Sequence, residues 1–140
     1  MSGAEKRAEL TVVSVIDGEE STRRLECTYI IRESGFVIRY AEPDGDENCV
    51  RFTENGFNGG SRAEIERSGA SSGLMVIETG RTTPCCMHTP QGRLDLAVRG
   101  NGVMMKFSDD AAAAEIAYTV LLGGGRSELS YRFGVRVIDD

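Results

Sequence analysis

Tryptophan is absent from this chain, histidine occurs once (His88), proline three times, and lysine only at Lys6 and Lys106. Each shortage removes a class of function. A single imidazole rules out metal centres built on two or more histidines and confines any histidine base to one position. With so little lysine and no cluster of arginines in its place, the chain is acidic, with a formal net charge of -6 and a pI near 4.9. Such a chain neutralises phosphates badly, so nucleic acid and anionic membranes are poor partners. The predominance of arginine over lysine fits a bias in the source genome better than dedicated carboxylate or phosphate recognition. No run approaches the roughly eighteen consecutive apolar residues of a spanning helix. The first apolar stretch, Leu10 to Ile16, is interrupted by Thr11 and Ser14 and runs into Asp17-Gly18 without a small-residue cleavage site. The expectation is a cytoplasmic protein whose Cys27, Cys49, Cys85 and Cys86 are reduced.

What the sequence does carry is period-two alternation, cut by turn dipeptides at short intervals. Leu10, Val12, Ser14 and Ile16 alternate with Thr11, Val13 and Val15; Cys27, Tyr29 and Ile31 alternate with Thr28, Ile30 and Arg32. Phe36, Ile38 and Tyr40 follow, and Ala63, Ile65 and Arg67 form a shorter run. Leu74 to Thr79 is apolar on both faces. Leu94, Leu96 and Val98 give the cleanest half-buried pattern, Ile116, Tyr118, Val120 and Leu122 repeat it, and Tyr131, Phe133, Val135 and Val137 close the chain.

Asp17-Gly18, Asp44-Gly45, Asn55-Gly56 and Asn101-Gly102 separate such runs, and these dipeptides favour tight hairpins because both central residues need positive φ. Only Asp109 to Ala114 reads as helical, from its aspartate cap and alanine run, and it serves equally as the lead-in to the next strand. No linker or repeat divides the 140 residues. The expected architecture is all-β: one domain over 1–140, with 1–8 as a loose tail, in which a small antiparallel meander closes into a barrel. Closure removes the exposed edges that an open meander would leave, and Gly134 suits a sharp bend in the last strand.

The segment Arg67-Ser68-Gly69-Ala70, followed by Thr89-Pro90-Gln91-Gly92 with an alternating strand after it, and then Ile116-Ala117-Tyr118, resembles the YwiB-like family of bacterial proteins. That resemblance runs from about Leu10 onward. It implies a calycin-like or lipocalin-like barrel of unassigned function and transfers no catalytic residue. The chain departs from the family where Met87 replaces an aromatic residue before the Thr-Pro turn, and it lacks the tryptophan that lipocalins carry by their first strand.

Several groups carry candidate chemistry. Cys86 and His88 share a strand face and suit zinc, but a closed site needs four ligands and no second pair lies at useful spacing. As a nucleophile and base they lack an orienting group. Asp44, Asp46 and Asn48 imitate a calcium loop, yet Cys49 stands where the loop needs glycine and Asn55 where it needs glutamate. They read as a turn of solvated acids. Gly56 to Gly60 and Gly123 to Gly125 lack the lysine and helix of a phosphate loop and read as β-turns. No metal or cofactor is expected.

Arg67 shares parity with Ala63 and Ile65, which places its guanidinium inward, where it must be paired. The partner is a ligand's acidic group, bound bidentately, or an internal acid such as Glu33 or Glu78, or else the face is outward and Arg67 is solvated; the readings without a ligand are the commoner ones. Tyr118 and Tyr131 share parity with core residues, so their hydroxyls need interior partners or orient a ligand. The leading reading is therefore a barrel that binds a small hydrophobic or acidic ligand through Arg67, Tyr118 and Tyr131. The alternative is a filled barrel acting as an interaction module or homodimer through an outer patch of Val13, Val15, Ile30 and Leu121. An enzyme is the weakest reading, because no acid/base or nucleophile constellation stands out.

Overall fold

The computed structural model describes residues 5–54 and 60–138. Ten strands follow in order: β1 (Lys6–Ile16), β2 (Glu19–Arg32), β3 (Gly35–Ala41), β4 (Glu47–Thr53), β5 (Arg62–Ser68), β6 (Ser72–Glu78), β7 (Thr82–Thr89), β8 (Gly92–Phe107), β9 (Ala111–Leu122) and β10 (Gly125–Val137). Each strand lies antiparallel to the next, and β10 returns to β1, so the meander closes. No helix occurs among the described residues, and none is long and apolar enough to cross a membrane. The expected loose tail over 1–8 is corrected from Lys6 onward. β1 begins at Lys6, Ala8 is fully buried, and only residues 1–4 of that stretch lie outside the described residues.

Alternation selects the inward row on each strand. Leu10 and Val12 on β1, Cys27 and Tyr29 on β2, Phe36 and Ile38 on β3, Val50 and Phe52 on β4, and Phe133 and Val135 on β10 are all buried in one cluster. One end of the barrel is plugged by aromatic rings. Phe36 stacks on Phe52 at 4.7 Å and lies 5.7 Å from both Tyr29 and Phe107. The Tyr29 hydroxyl donates to the Ser108 carbonyl at 2.7 Å, tying this plug to the β8–β9 turn.

Three local expectations change. Asp109 to Ala114 is a turn followed by the start of β9, where Ala112 and Ala114 point inward and Ala111 and Ala113 outward. Pairing with β8 and β10 on both sides outweighs a helix preference of about 0.7 kcal/mol per residue or less. Asn101-Gly102 is not a hairpin but a bulge inside the continuous β8, at the register shift between Gly100 and Gly102. The Asn101 side chain donates to the Thr119 hydroxyl at 2.9 Å, which holds the bulge on β9. Gly134 keeps its register with Thr11 and Ala113, so the irregularity lies at Gly100–Gly102 instead. Of the other turn dipeptides, Asp17 and Gly18 adopt φ of 50° and 89°, as a two-residue hairpin requires. Asn55-Gly56 lies outside the described residues, as does the rest of that glycine-rich stretch up to residue 59.

The joint between β6 and β7 is irregular. Only Ser72↔His88 and Gly73↔Met87 pair there, against five or more pairs at each other junction. Beyond them the Thr83 hydroxyl donates to the Val76 carbonyl at 3.0 Å and the Cys85 thiol to the Leu74 carbonyl at 3.4 Å. On β6 itself Met75 and Ile77 point inward. Leu74 is exposed on the outer face, and the outer Glu78 is covered through ion pairs with Arg62 at 3.5 Å and Arg81 at 2.9 Å.

A polar cavity as candidate functional site

At the end away from the aromatic plug the same inward rows turn polar. On β2 the row of Tyr29, Cys27 and Leu25 continues to Arg23. On β3 Phe36, Ile38 and Tyr40 lead to Glu42 just past the strand, and on β4 Phe52 and Val50 lead to Asn48. With Arg67 of β5, Tyr118 of β9 and Tyr131 of β10 these side chains line a cavity of about 310 Å³, whose remaining wall includes Ile65, Met75 and Met87. A larger hollow of about 420 Å³, between Met104, Lys106, Ala113 and Arg132, lies on the outer wall and is a surface groove.

Both guanidiniums in the cavity have carboxylate partners. Arg23 donates to both oxygens of Glu42, at 2.7 and 3.1 Å, and Asn48 donates to the same carboxylate at 2.8 Å. The bond to Glu42 raises the Arg23 pKa against the desolvation that lowers it. Arg67 donates through Nε to Asp46 at 3.0 Å and lies 3.5 Å from Asp44 through Nη2. Asp46 also accepts the Ala70 amide at 2.8 Å. Desolvation works against the Asp46 charge, but the bonds from Arg67, Ala70 and Ser71 outweigh it and hold the carboxyl below its ordinary range.

The tyrosines are shielded. Desolvation, reinforced by the nearby Glu42, pushes the Tyr40 hydroxyl up to about 12. Burial raises Tyr118 further, and the charge and hydrogen bond of Tyr131 add to the shift. Tyr118 and Tyr131 stack with ring centroids 6.2 Å apart, and Tyr131 stacks on Phe133 at 6.0 Å. Tyr40 has no hydrogen-bond partner for its hydroxyl among the described residues.

Arg67, Tyr118 and Tyr131, the three residues singled out by parity, thus meet in one cavity. The acids expected to pair with Arg67 do not. Glu78 serves Arg62 and Arg81, and Glu33 sits in the β2–β3 turn. Arg67 lies opposite Asn48 in the β4–β5 register, and this places it beside the β3–β4 turn that carries Asp44 and Asp46. Asp46 is therefore not a solvated turn acid: it is 3% exposed. Arg23, Tyr40, Glu42 and Asn48 were missed, although counting back by twos from Cys27 and onward from Phe36 reaches Arg23, Tyr40 and Glu42.

The other candidates lie elsewhere. Cys86 and His88 are on the outer face, with Sγ and Nε2 3.7 Å apart, and no group of three metal-ligating side chains forms among the described residues. Cys85 points inward, and burial raises its thiol pKa. Of the expected outer patch, Leu121 is exposed and Val13 and Val15 are half-buried, but Ile30 is 4% exposed beside the equally covered Val37.

Residues 11–132 match the model of a protein family described as Domain of unknown function (DUF1934). The chain belongs to that family. The DUF1934 match takes in the polar side of the cavity wall, from Arg23 to Tyr131. The crystal structure of the ywiB protein from Bacillus subtilis has the same fold, with a TM-score of 0.79 at 20% identity, covering 96% of this chain and 94% of that one. No curated protein is similar to the chain.

Proposed function

We propose that this DUF1934 barrel binds a small ligand in its polar cavity, through an acidic or carbonyl group of the ligand. The observation that carries this reading is a cavity of about 310 Å³ whose wall presents hydrogen-bond donors. Glu42 is taken up by Arg23 and Asn48, and Asp46 by Arg67 and the Ala70 amide. Among the described residues no buried side-chain nitrogen or oxygen lacks a partner, so the Tyr40 hydroxyl and the outer edge of Arg67, whose side chain is 33% exposed, face the open space of the cavity. Donors on the wall of an open cavity favour a ligand that supplies acceptors. The volume stands at the low end of ligand pockets, which span roughly 300–1,000 Å³. It also argues against the filled-barrel alternative.

The test is titration of the full chain with butanoate and with butylamine, followed by tyrosine fluorescence. Butanoate should bind saturably and the amine should not. Tyr40→Phe, which removes the unpartnered donor, should weaken butanoate about tenfold. Equal responses to acid and amine, or none to either, would overturn the proposal.

A further inference from the structure

The cavity does not end at its tyrosines. β8, β9, β10 and β1 run for 16, 12, 13 and 11 residues, while β3 to β7 have seven or eight. The long strands therefore carry their inward rows further toward the open end. Past Tyr118 the row on β9 continues to Val120 and Leu122; past Tyr131 the row on β10 continues to Leu129. On β1 the row ends at Ile16, paired with Leu129, and on β8 it passes from Val98 through Leu96 to Leu94. Ile16, Leu94 and Leu122 are 43%, 42% and 45% exposed.

Single exposed hydrophobes are ordinary. These three differ because they occupy inward positions at the ends of β1, β8 and β9, on the side of the barrel that carries the cavity tyrosines, with Ser14 of β1 and Ser127 of β10 the polar breaks in the inward rows. The wall across the cavity carries Arg23, Glu42, Asn48 and Arg67. The mouth is thus polar on one side and oily on the other.

Building on the acceptor-binding reading above, we infer that the ligand is an amphiphile whose acidic head lies against Arg67 and Tyr40. Its unbranched apolar chain runs out past Tyr131 and Tyr118 over Leu129, Ile16 and Leu122. Continuity with the cavity decides between this occupant and a second copy of the chain, since a flat partner surface would cover the rim and leave the donors beneath it unused.

The experiment compares butanoate, hexanoate and octanoate on the full-length protein and on an Ile16→Ser/Leu122→Ser variant. Both positions are exposed enough that the core keeps its packing, and near-ultraviolet circular dichroism checks that it does. Affinity should rise with each methylene, by up to about fourfold where the added group is fully buried. The double variant should lose that rise yet bind butanoate as the parent does. Octanoate binding no tighter than butanoate, or a variant that keeps the chain-length gain, would refute the amphiphile and leave the acceptor site standing. If butanoate itself fails to bind, the acceptor site falls and the amphiphile with it. Light scattering that reveals a dimer dissociated by the rim substitutions would assign the rim to a protein contact and reject the inference.

Discussion

Alkali should weaken this barrel before it reaches most of its phenols. Tyr29 and Tyr40 are both pushed from 10.0 to about 12, mainly by desolvation. The sign follows from linkage. A group whose folded pKa is raised contributes stability that is complete below the unfolded value and disappears as pH climbs through the folded one. The loss therefore falls between pH 10 and about 12. Two units correspond to about 3 kcal/mol for each tyrosine and about 5 kcal/mol for the pair. A domain of this size has about 5–15 kcal/mol in all, so the loss takes about a third or more of it. The assay is a urea midpoint measured at several pH values in this window, alongside the near-ultraviolet absorbance of phenolate. With four tyrosines and no tryptophan the absorbance is uncrowded. Signal from Tyr29, Tyr40 and Tyr118 should be delayed past pH 10, and Tyr40→Phe should remove about half of the stability loss assigned to the pair. Ionisation of all four phenols near pH 10 with an unchanged urea midpoint would refute the reasoning, because it would mean that the interior is wet.

Gly100→Ala should cost about 3 kcal/mol or more, since its methyl would strike the Glu78 backbone carbonyl where β6 meets β8. Gly134→Ala, whose methyl meets nothing within 4 Å, should be neutral or stabilising by up to about 1 kcal/mol; equal urea midpoints for the two variants would contradict the packing. Asp46→Asn should destabilise the protein at neutral pH and flatten its acid-unfolding curve. The Asp46 carboxyl has a lowered pKa, so its contribution is present above 3.8 and lost as pH falls through the folded value. A variant whose stability still falls as steeply as the parent's on acidification would show that Asp46 contributes none of that slope.

The barrel was legible because period-two alternation is a direct consequence of one wet and one dry sheet face. Leu10, Phe36, Ile116 and Phe133 all went inward as their parity demanded. The parity of Arg67, Tyr118 and Tyr131 was also enough to bring them into one cavity. Which acid meets which arginine was not legible, because Asp44 and Asp46 belong to a turn whose path over Arg67 is fixed by three-dimensional register and not by spacing. Asn101-Gly102 misled for a related reason. A dipeptide that tolerates positive φ permits a hairpin without requiring one, and here strong pairing on both sides kept β8 running through it. Alanine's helix preference at 111–114 lost to the same two-sided pairing.

A hoop opens at its weakest stave. Between β6 and β7 the closure rests on two main-chain pairs, a hydroxyl and a thiol, where every other junction relies on a longer main-chain ladder. Main-chain donors survive any substitution except proline, but Thr83 and Cys85 can be lost by a single replacement that strips a carbonyl of its donor. The seam is also edged by Met75 and Met87, whose pliant thioethers face the cavity. Parting the barrel here breaks the shortest ladder and leads straight to the polar cavity.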